Sequence, residues 1–222
     1  MKDARPLLGP LTIVALIAIG VAIATAGGSP VPLSAGGDSG GARYASAADL
    51  PPAAPLRFSG ALAPSDQQSV RQIIAEARPE ARRLVELIAG LVTITVGRPD
   101  ARTAGSTGPT AAGYGVELDL GGVYRSSGMR GLRRLVLHEL AHVIDHALVG
   151  SKLEAELDAA TPPGFGCEDA MSGGCAAREE RFAESFAKWA TGDIGNDLYI
   201  GYRVPPPTSL SGWGDPLSQI RR

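Results

Sequence analysis

Read for its alternation of apolar and polar positions, the chain falls into three stretches of different character. Residues 7–26, "LLGPLTIVALIAIGVAIATA", carry no charge; residues 27–55 hold almost no large apolar side chain; from 56 onward apolar residues recur at regular intervals. In the third stretch Val70, Ile73 and Ile74, then Leu84, Leu87 and Ile88, fall at helical spacing, with Ser65 as a candidate N-cap and Pro79 interrupting. One broken helix or two are predicted there. The β-branched run 91–97, "LVTITVG", predicts a strand, and the alternation of Val116, Leu118 and Leu120 within 114–124 predicts a second. The Gly, Thr and Pro residues between them read as a loop. Two more helices are predicted at about 127–149 and 176–191, separated by a loop, and the Pro-rich tail is expected to wrap the surface. The order helix, strands, helix, loop, helix gives an α+β class for residues 56–222, long enough for one domain with its own core.

Composition changes this picture mainly at the front. Lys2 and Arg5 precede the uncharged run, whose 20 residues approach the length of a bilayer span. Ala24-Thr25-Ala26 has the small-x-small form of a cleavage site, whereas Pro6 and Pro10 confine a continuous helix to 11–26. Residues 1–26 are thus either a signal peptide or an N-terminal membrane anchor. Both leave the rest of the chain extracytoplasmic, secreted or tethered to the membrane. Residues 27–55, rich in Gly, Ser, Ala and Pro, read as a flexible linker. The chain has two cysteines, Cys167 and Cys175; in an exported protein so close a pair reads as a disulfide, with free thiols as the alternative. A net charge of −2 excludes the basic surface that nucleic-acid binding requires, and a monomer is expected.

All three histidines lie within nine residues, at 138, 142 and 146. His138-Glu139-Leu140-Ala141-His142 places two imidazoles at i and i+4, on one helical face and within reach of a single cation. That is the HExxH zinc pattern, in which the Glu acts on a water bound to the metal. His146 continues the series but stands two turns, about 12 Å, from His138 on an unbroken helix, too far for the same ion. It reads as a flanking polar residue of the cleft. A third ligand is sought in "AAREERFAESFAKWATG". There Phe182, Phe186 and Trp189 form a core stripe, and Glu180 and Glu184 share another face beside Ala183 and Ala187. Two carboxylates four residues apart permit a division of labour: one binds the metal, the other holds the free ring nitrogen of a ligating histidine. Asp145 either orients a ligand or is an ordinary polar helix residue.

Taken together, His138-Glu139-x-x-His142 and Glu180-x-x-x-Glu184 resemble the gluzincin metallopeptidases. More narrowly, "HELAHVIDH" with "EERFAESFAKWA" is similar to the catalytic domain of anthrax lethal factor and its smaller secreted relatives. The similarity is strong over about 30 residues and architectural over 90–190. It implies a zincin-like domain with a small mixed sheet, an active-site helix and a second, Glu-bearing helix. It also implies one zinc ion on His138, His142 and Glu180, Glu139 as general base and Glu184 behind a ligand. The expected activity is zinc-dependent endopeptidase cleavage of a peptide or protein substrate, with the strand at 114–120 as a sheet edge where an extended peptide adds. Hydrolysis of cell-wall or other non-protein amides, and an inactive membrane-tethered binding domain, are the alternatives. In the narrower group a Tyr seven residues before the ligand Glu assists the transition state, but here that position is Gly173. Tyr199 and Tyr202 are candidates to replace it, and Tyr114 a weaker one.

Overall fold

In a computed structural model the residues described are 50–60, 62–99, 103–162, 177–195, 198 and 204–221. The N-terminal apolar run, most of the linker, Cys167, Cys175, Gly173, Tyr199 and Tyr202 lie outside them. Among the described residues, no helix is long and apolar enough to cross a membrane. These residues form an α+β fold: a small mixed sheet and six α-helices.

The first helical stretch divides into α1 (Pro64–Glu76) and α2 (Pro79–Ile88). Each starts with a proline, which needs no N–H partner in the first turn and disfavours helix in the residue before it. Ser65 is therefore not the cap; Ala63 occupies that position, with no side-chain hydrogen bond. The strands are β1 (Arg57–Phe58), β2 (Val92–Val96), β3 (Gly105–Thr110) and β4 (Gly113–Leu118), in the sheet order β1-β2-β4-β3. β1, β2 and β4 run parallel, and β3 pairs antiparallel with β4 from Gly105↔Leu118 to Thr110↔Gly113. Two expectations change here. The stretch read as a loop contains β3, and the strand expected at the sheet edge, β4, lies inside it with β3 as the edge. β3 reads "GSTGPT" and has no large apolar residue to give an alternation; its Pro109 is tolerated because an edge strand need not offer every N–H.

Residues 119–124 are not the end of a strand. Asp119 accepts a hydrogen bond from Gly122 N at 2.7 Å and caps α3 (Leu120–Leu148), so Leu120 and Val123 reach the core from a helix turn. α3 is broken at Gly128, whose φ of 61° and ψ of −160° a side chain would strain. Beyond this break, helix 129–148 runs through the middle of the domain, with Leu135, Val136, Leu137, Leu140, Ala141, Val143 and Ile144 at most 2% exposed. α5 (Arg178–Thr191) packs along it, through Ala183, Phe186 and Ala187. Leu50, inside the stretch read as linker, is buried against this core, so packing begins before residue 56.

Two further helices were absent from the sequence reading. α4 (Ser151–Ala160) buries only Leu157, too little for an apolar period. α6 (Leu210–Ser218) arises in the tail expected to wrap the surface, capped by Ser209, which accepts from Gly212 N at 3.0 Å. It is anchored by Trp213, which packs against Phe182 and Trp189 of α5 and donates from Nε1 to Thr161 Oγ1 at 2.9 Å. Gly214 permits this approach, since a Cβ there would lie 1.9 Å from Trp189 Nε1. Trp213→Ala should therefore lower stability by about 3–5 kcal/mol, a large share of the total for a domain of this size. Urea denaturation followed by circular dichroism measures it, and a loss below about 1 kcal/mol would show α6 to be peripheral.

Candidate metal centre

The described residues contain one cluster able to hold a metal ion: His138, His142 and Glu180, whose ligand atoms all lie within 4.8 Å of one another. The two imidazoles project from adjacent turns of α3, with ring centroids 5.0 Å apart and planes at 81°. Glu180 enters from the first turn of α5, its Oε2 3.1 Å from His138 Nε2 and its Oε1 3.6 Å from His142 Nε2. For metal–ligand bonds of 2.0–2.1 Å, neighbouring donors of a tetrahedron stand about 3.3–3.4 Å apart. Two imidazole nitrogens and one carboxylate drawn this close could hold a metal ion.

The opposite side of the His138 ring also faces a carboxylate. Nδ1 lies 3.4 Å from Glu184 Oε2, which leaves Nε2 facing Glu180. Glu184 is itself bound by Arg134 Nη1 at 3.0 Å and Lys188 Nζ at 3.1 Å. Burial works against a charge on His138, yet the hydrogen bonds to Glu180 and Glu184 outweigh it and hold its pKa well above the imidazole range. Burial and the neighbouring charge on His138 push His142 down to about 3. Burial raises a carboxyl, but the bond to His138 and the charges of Lys188 and Arg134 hold Glu184 at about 2. Glu180 is lowered against its own burial by His138.

Glu139 sits one residue along α3, 5% exposed, and reaches toward the edge strand. Thr107 Oγ1 donates to Glu139 Oε2 at 2.8 Å, with the Glu139 carbonyl oxygen, 3.0 Å away, as an alternative acceptor. The other carboxylate oxygen occupies the space above Gly105, where a Cβ would stand 2.5 Å from Oε1. Burial raises the Glu139 pKa more than His138 and Thr107 lower it. Its carboxylate is thus a stronger base than a solvated one.

Asp145 pairs with Arg178 of α5. Its two oxygens take Arg178 Nη1 at 3.1 Å and Nη2 at 2.5 Å, and Arg178 Nε lies 3.0 Å from Glu154 of α4. This buried pairing fastens the start of α5, two residues before Glu180, to α3 and α4. His146 stacks on Tyr114, with ring planes 9° apart, and stands outside the cluster. Tyr114 is 2% exposed and is a packed core residue rather than a group facing the cluster. Sequence reasoning missed Gly105, Thr107, Arg134, Arg178 and Lys188. One had a direct signal: Lys188 follows Glu184 by four residues and so shares its helical face, while Arg134, four before His138, reaches Glu184 from the other helix.

No protein-family model, curated protein or solved structure matches this chain.

Two measurements test the centre. Glu180→Ala should lose bound metal after dialysis while keeping its helical circular dichroism, as elemental analysis would show. The second concerns pH. In metal-free protein, His142 has a folded pKa of about 3 against an ordinary 6.5, so below pH 6.5 the unfolded chain binds the proton that the fold refuses. Its stability contribution is full above about 6.5 and is lost as pH falls toward 3. Glu184 adds the same sign only between 4.5 and about 2. The contribution of His138, whose pKa is raised, is full below 6.5 and wanes at higher pH. Relative to His142→Gln, the melting temperature of chelator-treated wild type should therefore fall between pH 6.5 and 4.5, the raised pKa values of Glu139 and Asp145 being common to both proteins.

Proposed function

We propose that the protein is an exported zinc-dependent endopeptidase with a zincin-like catalytic domain. The observation that carries this reading is the placement of Glu139. A buried carboxylate of raised pKa stands beside a His138, His142 and Glu180 donor set and is bound by Thr107 of the edge strand β3. A structural metal site has no use for such a base, and closed structural zinc sites are built largely from cysteine. Zinc held by these three residues would supply Lewis acidity, polarising a carbonyl and making a water acidic near neutral pH.

The chain's own residues account for the rest. Thr107 fixes Glu139 by its Oε2, and Gly105 leaves Oε1 room beside β3. Glu139 takes the proton of the attacking water, an uptake its raised pKa favours, and delivers it to the leaving amide nitrogen. Glu184 holds the His138 ring by Nδ1, and the Asp145–Arg178–Glu154 chain holds the turn that carries Glu180. β3 supplies the docking edge: a peptide adding as a strand there lies alongside Thr107 and so beside Glu139.

Glu139→Gln should retain zinc and lose at least about 100-fold in cleavage rate of a peptide library. Undiminished, zinc-dependent cleavage by that variant would sink the general-base assignment. Gly105→Ala should also retain zinc and lose activity, because a methyl group there displaces the Glu139 carboxylate. Steady-state assays beside elemental analysis read both.

A further inference from the structure

The carboxylate behind His138 is held by more cations than its orientation requires. Glu184 Oε1 takes both Arg134 Nη1, at 3.0 Å, and Lys188 Nζ, at 3.1 Å, while Oε2 alone faces His138 Nδ1. Both cations are 2% exposed. Their remaining polar bonds go to main-chain carbonyls: Arg134 Nη2 donates to Asp193 O at 2.9 Å, and Lys188 Nζ donates to Val204 O. One buried cation suffices to pin Oε1 and turn Oε2 to the ring, and Arg134 does that. A second, an ammonium taken out of water, opposes folding unless something is gained from its charge.

The division of the two oxygens shows what is gained. A carboxylate bonded to Nδ1–H makes an imidazole more basic and a stronger metal donor. Cations on the opposite oxygen draw charge away from Oε2 and weaken that pull. Resting on the zinc reading above, we propose that Lys188 is a positioning residue that acts through Glu184 to restrain the metal affinity of His138, leaving the bound ion more electron-demanding than an unclamped carboxylate would. A plain structural tie between α5 and Val204 predicts the opposite sign, since loosening α5 displaces Glu180 and weakens binding.

The test titrates zinc into the full chain, purified in mild detergent and stripped by chelator, against a fluorescent zinc indicator of known affinity. Lys188→Met should bind zinc roughly tenfold more tightly than wild type, the scale on which groups behind a ligand act. Lys188→Arg should restore the wild-type value. In a Glu184→Gln background, Lys188→Met should change nothing further. Cobalt in place of zinc gives an independent reading: the visible absorption should shift in Lys188→Met and return in Lys188→Arg. Equal or weaker zinc binding by Lys188→Met overturns the proposal, and so does an effect that persists in full without the Glu184 carboxylate. Should Lys188→Met fail to fold, Lys188→Gln, which keeps a donor for Val204 O, carries the same prediction. Wild-type protein that takes up no zinc overturns the metal reading and this inference together, whereas zinc-binding wild type with an unresponsive Lys188 overturns this inference alone.

Discussion

The close approach of α3 and α5 is the constraint on which the rest of the structure depends. Two candidate ligands and the candidate base sit on one helix, and the third ligand and its supporting carboxylate on the other, so any slack between the axes would separate them. Ala141, Ala183 and Ala187 have no exposed surface and keep the contact free of bulk. Larger side chains flank it: Phe182 and Trp189 join Trp213, and Phe186 packs against Trp189. Polar ties close both ends of α5. Arg178 binds Asp145 at its start, and at its finish Arg134 and Arg130 bind Asp193, the first by the main-chain carbonyl and the second by the carboxylate. The helix is thus fixed in translation as well as in distance.

Charge in the interior follows from that packing. Glu139, Glu180 and Glu184 bring three carboxylates into a small buried volume, and Arg134 and Lys188 return two positive charges. The remaining deficit falls on His138, which explains its preference for a proton when no metal is held. A divalent cation reverses the sign of the imbalance rather than cancelling it.

How much of this was legible depended on whether a feature was periodic. The HExxH pattern and the Glu180/Glu184 pair were, because a helix fixes which residues meet four positions apart, and His138, His142, Glu180 and Glu184 converge in the structure. The core stripe at Phe182, Phe186 and Trp189 was legible for the same reason. β3 was not: a half-exposed edge of Gly, Ser, Thr and Pro carries no alternation, and with it went Gly105, Thr107 and the identity of the open edge. α6 was hidden by the prolines around it, although a lone buried Trp213 suffices to anchor it. Leu120 fitted a strand period by coincidence; the Asp119 cap, a signal of one residue, decided for helix. The Asp145–Arg178 pair joins residues 33 apart, which no local pattern records.

The composition of β3 has a further bearing, on self-association. An exposed strand edge is a template on which copies of a chain assemble into continuous sheets, a hazard for any protein that must leave a backbone ladder open. Here the edge is six residues long, with glycine at 105 and 108, proline at 109 and no large apolar side chain to form a dry seam with a like strand. Such an edge offers main-chain partners to an extended chain brought to it by other contacts, yet gives two copies little reason to stack. The weak strand signal that hid β3 in the sequence is the same property that suits it to the edge of the sheet.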